Sequence, residues 1–262
     1  MTTPIDAVRY LTQPKLKDPL LVAAFEGWND GGTASSKAVR HMIQAFNAEK
    51  FASLEPEEFY VFSENRPQVK LVDGRTRRIQ WQANDFYSAR LPGTERDIIL
   101  FHGTEPNLHW QTYCANVMSV AQAQDCRQVA TLGAYLADVL YTLPVQVTGF
   151  CNNLQIEERY GIKRTSYEGP TGIVGVLSGT YGTEQLTMLS LWAAVPYYIS
   201  IPNPKAVHAL LSKLKTIFAF EMEMESLEKE ADSFDNEIND VVARDPNVAA
   251  YVRELKKREF LN

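Results

Sequence analysis

A chain of 262 residues, 45% of them hydrophobic, can bury a full core, about 70% of its unfolded surface at this size. Three cysteines, Cys114, Cys126 and Cys151, are odd in number, far apart and without C-x-x-C, which excludes a disulfide framework and a thiolate zinc site; no cofactor and no metal is expected. The net charge of −6 is confined to the C-terminal part: residues 221–245 hold ten acids against two bases and 246–262 two acids against four bases, whereas the first 220 residues hold 20 of each, so neither nucleic acid nor an anionic membrane is an expected partner.

Residues 1–19 are polar, carry Pro4, Pro14 and Pro19, and are expected to run over the surface. MTTPIDAVRY lacks the apolar core of a signal peptide, and no run reaches the length of a membrane span, so a cytoplasmic protein is expected. The stretch Leu20–Gly32, LLVAAFEGWNDGG, is the one around which the chain is organised. Its aliphatic half reads as a strand buried on both faces, ending at Phe25. Asn29, Asp30, Gly31 and Gly32 force a turn, and a helix starts near Thr33 with Ala34, Ala38, Met42, Ala45 and Phe46 on one face. Strand, turn and helix make the first half of a βαβ unit.

Glu58–Phe62 reads as a second strand. Val69–Val72 and Arg77–Trp81 then alternate in side-chain type across Asp73-Gly74, which predicts a β-hairpin arm within residues 66–82. Arg66, Lys70, Arg75, Arg77 and Arg78 crowd it against one acid, Asp73. A basic arm with Trp81 and Phe86 nearby can be read as a nucleic-acid arm. The alternatives are a solvated edge hairpin or an arm that reaches a neighbouring subunit, and a neutral-to-acidic body favours them.

Asp97–Phe101 is the next buried strand, followed by the turn HGTEPN and a helix with Trp110, Tyr113, Val117 and Ala121 on its core stripe. Val129–Leu132 and Val145–Thr148 supply two more strands, each expected to end at a glycine, Gly133 and Gly149. Four loops should therefore meet on one sheet edge: Glu26–Gly32, His102–Asn107, Gly133–Asp138 and Gly149–Asn153. In an open α/β sheet ligands bind at such an edge. The candidate binding residues are Glu26, Gly27, Trp28, Asn29, Asp30, Gly31, Gly32, His102, Glu105 and Asn107. A histidine beside carboxylates could act as a base, but His102 at a strand end also suits a structural role, and Asp30 equally suits a helix cap. No catalytic residue is assigned. The spacing around Ser178 is G-x-x-S-G, not that of a nucleophile elbow.

Leu186–Ile201 contains a further buried strand. Asn203 and Pro204 open a helix through Phe218 with Ala206, Leu210, Leu211 and Leu214 facing the core. Beyond Phe220 a long polar helix carries a narrow stripe, Met222, Leu227, Ala231, Phe234, Ile238 and Val241. Asp245-Pro246 starts a second helix through Val252 and Leu255, and the pair should fold back as a helical hairpin. The expected organisation is one α/β/α domain over residues 1–220 with a mostly parallel sheet and a protruding β-hairpin, then an acidic helical tail over 221–262.

Four later stretches join the Leu20–Gly32 loop in resembling the PAC2 family, named after a proteasome assembly chaperone, and in particular its actinobacterial members. They are Arg66–Trp81 (RPQVKLVDGRTRRIQW), Ile99–Trp110 (ILFHGTEPNLHW), Leu132–Gly149 (LGAYLADVLYTLPVQVTG), and YEGPTGIVGVL with LSLWAAVPYYIS and NPKAVHALL. The resemblance implies a three-layer α/β/α sandwich of phosphorylase/hydrolase-like fold, similar to purine nucleoside phosphorylases, in a homo-oligomer for which a trimer is one compatible size. It implies a non-enzymatic assembly or interaction protein with a protein client. The alternative is a small-molecule-binding protein or enzyme using a nucleoside-phosphorylase-like pocket at the strand-end loops. Eukaryotic and archaeal relatives bind proteasome α-subunits, partly through a C-terminal hydrophobic-Tyr-any tripeptide. This sequence closes on Phe260, Leu261 and Asn262 without that tyrosine, so the tripeptide's role is not carried over.

Overall fold

The computed structural model describes residues 6–183 and 185–259. Phe260–Asn262, and with them the terminal tripeptide, lie outside the described residues. An eight-stranded mixed sheet divides the body. Its strands are β1 (Val8–Tyr10), β2 (Leu20–Glu26), β3 (Glu49–Leu54), β6 (Asn84–Arg90), β7 (Asp97–Thr104), β8 (Gln128–Ala137), β9 (Val147–Cys151) and β10 (Thr187–Pro196). The spatial order is β1-β3-β6-β7-β2-β8-β10-β9. β4 (Gln68–Val72) and β5 (Thr76–Gln80) form a separate two-stranded ribbon.

The four central strands, β7, β2, β8 and β10, run parallel, and the strands outside them pair antiparallel. The parallel strands are buried on both faces, which is why Leu20–Phe25 reads as an unbroken apolar run. Its side chains alternate between two cores. Leu20, Val22 and Ala24 join the layer containing α1 (Ala34–Ala45) and α5 (Pro204–Phe218). Leu21, Ala23 and Phe25 join α2 (Trp110–Ala123) and α4 (Ile173–Tyr181) on the other side. Helices on both faces of one sheet make the three-layer α/β/α sandwich. A short helix, α3 (Leu154–Arg159), is capped by Asn153.

The structure departs from the sequence expectations in several places. Residues 1–19 do not only cross the surface, because Val8–Tyr10 pairs antiparallel with β3 at the sheet edge. The second strand is Glu49–Leu54, and the 58–62 stretch is turn: Phe59 N–H donates to Pro56 O at 3.0 Å. Phe59 and Tyr60 are nevertheless buried, so an apolar cluster was present without strand backbone. The sheet is parallel only at its centre. Gly133 and Gly149 lie inside β8 and β9 instead of ending them. A Cβ at Gly133 would stand 2.6 Å from the Trp192 ring, and one at Gly149 2.4 Å from Ser190 O, so both mark close approach and not a turn. Last, β9 runs antiparallel to β10, which sends Gly149–Asn153 to the sheet edge opposite the other three loops.

The tail begins inside the body's core, where Phe220, Met222 and Met224 are buried. α6 (Glu225–Arg244) and α7 (Pro246–Glu259) then close a satellite core: Leu140, Tyr141 and Ile199 pack with Phe234 and Ile238 of α6 and Val252 and Leu255 of α7. Lys205 Nζ fixes α6 to α5 through Asp235 at 2.8 Å. Val241, expected on the apolar stripe, is 45% exposed. No described helix is long and apolar enough to cross a membrane.

Candidate functional site

The loop after β2 is tied to both neighbouring strands and to two helices. Parallel register aligns Glu26 with Thr104 of β7 and Ala24 with Leu132 of β8. Glu105 N–H donates to Glu26 O at 2.8 Å, Ala134 N–H to Asn29 O at 2.8 Å, and Asn203 N–H to Gly32 O at 2.9 Å. The path requires glycine twice. Gly27 sits at φ +132° with its Cα facing Glu105, and Gly32 at φ +58° against Asn203 and Val195.

The polar side chains of the two loops satisfy backbone donors. Asp30 Oδ1 accepts from Ser36 N–H at 3.0 Å and from Ser35 Oγ at 2.6 Å, which caps α1 from the turn before it. Asn29, 3% exposed, accepts from Val174 N–H at 3.3 Å. Glu105 accepts from Ile173 N–H at 2.8 Å with one oxygen and from Trp28 N–H at 3.0 Å with the other. Two side chains from distant loops thereby supply the N-terminal acceptors of α4, whose own cap is Gly172. A carboxylate there also faces the positive end of the helix dipole. Asn107 Oδ1 accepts from Val61 N–H at 3.1 Å and Asn65 Nδ2 at 2.7 Å, while its Nδ2 donates to Glu64 at 3.0 Å.

His102 is separated from this group. It lies within β7, in register with Ala24, and its Nε2 stands 3.3 Å from Glu26 Oε1 on the α1 side of the sheet. Arg40 of α1 donates to the same oxygen at 2.9 Å. His102, then Arg40, hold the Glu26 carboxyl below the usual carboxylate range, against the upward push of burial.

The structure therefore places Glu26, Gly27, Trp28, Asn29, Asp30, Gly31, Gly32, Glu105 and Asn107 around the ends of β2 and β7. Glu26, Gly27, Glu105 and Asn107, with Asn65, Thr104, Pro106 and Trp110, line an open cleft of about 570 Å³. Trp28 projects beside it, 62% exposed. Next to the cleft lies a polar group that sequence reasoning missed. The Tyr60 hydroxyl sits 2.6 Å from Thr104 O and 2.8 Å from Asn84 Oδ1, and Tyr113 donates to Asn84 Oδ1 at 2.6 Å. Burial pushes both phenols well above the usual range. No spacing could have joined Asn84, in an unrecognised strand, to Tyr60, in a turn read as strand. Among the described residues, no group of three or more His, Cys, Asp or Glu could hold a metal ion.

Known proteins share this architecture. A PAC2 family protein of Streptomyces avermitilis is 38% identical, with a TM-score of 0.82 over 90% of this chain and 100% of its own. A proteasome-assembly chaperone homologue of Mycobacterium tuberculosis is also 38% identical, with a TM-score of 0.81 over 89% of this chain and 99% of its own. PbaB of Pyrococcus furiosus, described as an archaeal proteasome activator, shares the fold at 22% identity and a TM-score of 0.72, over 89% of this chain and 97% of its own. No curated protein matches the sequence. The profile of the PAC2 family matches residues 24–242, spanning the loop, the cleft, the ribbon and most of α6, and the chain belongs to the PAC2 family.

Proposed function

We propose that this protein is an oligomeric assembly or interaction protein of the proteasome-assembly-chaperone type, which acts by binding a protein client. The observation that carries the reading is its 38% identity, over 89% of the chain, to a proteasome-assembly chaperone homologue. The chemistry of the loops supports it. Asn29, Asp30, Glu105 and Asn107 are engaged with backbone and side-chain donors that hold the loops and α4 in place. The side chains left outward, Trp28 on the rim and Val69, Leu71 and Ile79 on the ribbon, are those of a surface that binds another protein.

A pull-down of proteasome α-subunits with the full-length chain tests the client. Retention of α-subunits is expected. Their absence, both with the native chain and with a chain fused to a hydrophobic-Tyr-any terminus, would refute the chaperone reading.

A second reading rests on the cleft. Its volume suits a small molecule, and it places Glu26, held in its ionised form, beside the Glu105 and Asn107 loop. A thermal-shift screen with nucleosides, phosphate and amino-acid-like ligands checks it. A shift lost in Glu26→Gln would favour a pocket, and no shift would leave the loops structural.

A further inference from the structure

The ribbon of β4 and β5 carries two different faces. Cross-strand partners Val69 with Ile79 and Leu71 with Arg77 lie on one side, and Lys70 with Arg78 and Gln68 with Gln80 on the other. The first face is open: Val69 is 56% exposed, Leu71 61% and Ile79 47%. The ribbon is anchored at its base, where Trp81 packs on Phe62 with ring centroids 5.0 Å apart. An isolated two-stranded hairpin is marginal in water, so this apolar face needs a cover.

The charges indicate what covers it. Arg66, Lys70, Arg75, Arg77 and Arg78 are exposed, and none forms an ion pair among the described residues. On α6, Glu230, Glu237 and Asp240 are likewise exposed and without an ion pair among the described residues. Their spacing of i, i+7 and i+10 puts them on one stripe about 15 Å long at the helical rise. A five-residue strand spans about 17 Å. Val241 lies one turn beyond Glu237 and offers the stripe an exposed apolar side chain.

We propose that the β4–β5 arm of one subunit lies along the acidic stripe of α6 in a second copy of this chain. The apolar face of the arm covers Val241, and Arg77 on that same face, with Arg75 in the turn, meets Glu230, Glu237 and Asp240, while Lys70 and Arg78 lie on the opposite face. Arm and stripe are different surfaces of the same chain, so the contact is heterologous, and repetition closes a ring when the rotation permits. The inference rests on the oligomeric part of the proposed function and is independent of the client.

Light scattering on four full-length proteins tests it: wild type, R75E/R77E, E230K/E237K/D240K, and the chain carrying all five changes. The expected result is an oligomer for wild type, the single-chain mass for each separate reversal, and recovery of the oligomer when the reversals are combined. A monomeric wild type overturns the oligomer reading and the inference together. An oligomeric wild type whose mass survives either reversal, or a five-fold variant that stays monomeric, overturns the inference alone. A second measurement needs no charge change. Oxidised L71C/V241C should form intermolecular crosslinks on a non-reducing gel that neither single substitution forms, and their absence also overturns it.

Discussion

Glu105 Oε1 accepts from the backbone N–H of Ile173 at 2.8 Å, so a carboxylate just past β7 caps a helix 68 residues further along the chain. Its second oxygen holds Trp28 N–H at 3.0 Å, which makes one side chain the common fastening of the β2 loop, the β7 loop and α4. Glu105→Ala leaves both donors without that partner. Loss of an N-terminal acceptor together with a charge-assisted bond should lower stability by about 2 kcal/mol, and Glu105→Gln, which keeps an acceptor, by about half as much. Urea unfolding measures both. Equal losses in the two variants would show that the neutral acceptor kept by Gln adds nothing and that the carboxylate charge carries the whole effect.

Two glycines in this fold should respond in opposite directions. At Gly149 an added Cβ meets Ser190 O at 2.4 Å, and backbone of the neighbouring strand cannot yield as a flexible side chain can. Gly149→Ala should cost about 2 kcal/mol or more. Gly179 lies in α4 with nothing within 4 Å of its Cβ position. Gly179→Ala should therefore stabilise by up to about 1 kcal/mol through helix propensity alone. Thermal melts of the pair, read against wild type, check the signs.

Such contrasts explain which parts of the fold were legible in the sequence. Leu20–Phe25 and Asp97–Phe101 were readable because strands buried on both faces are continuous apolar runs. The arm was readable from Asp73-Gly74, which adopt φ +53° and +69° as a hairpin loop requires. The antiparallel edge was not. β6, NDFYSAR, has neither a clean alternation nor an apolar run, and it is held chiefly through its pairing with β3 and β7. The approach of the β2 and β7 loops followed from parallel topology, but the roles of their side chains did not. Asn29 and Glu105 reach α4 across sequence separations that no local pattern encodes. Gly149 misled because a glycine required by close strand packing looks, in sequence, like one required by a turn.

All three cysteines are buried, and burial pushes the Cys114 thiol up to about 12 and raises those of Cys126 and Cys151. The thiolate is the reactive form, so the native protein should be close to inert toward a disulfide reagent at about pH 8. Three thiols should titrate once urea unfolds the chain. Labelling of the native protein at the rate of the unfolded chain would contradict the packing around α2 and β9.

Glu26 carries the pH dependence that can be traced to named partners. Its carboxyl is held below the ordinary value of 4.5 by His102 first and then by Arg40, with burial opposing them. A carboxyl depressed in the folded state stabilises fully above its unfolded pKa, and that contribution disappears as pH falls through the folded pKa. The loss therefore lies on the acid side of about 4.5, and the neutral range is unaffected. Removing a partner should move the Glu26 carboxyl resonance midpoint upward in a carbon-13 titration. His102→Asn and Arg40→Met should each shift it, because His102 Nε2 at 3.3 Å and the Arg40 guanidinium at 2.9 Å both face the same carboxylate oxygen. A midpoint left unmoved by either substitution would mean that the residue replaced is not what keeps the Glu26 carboxylate ionised.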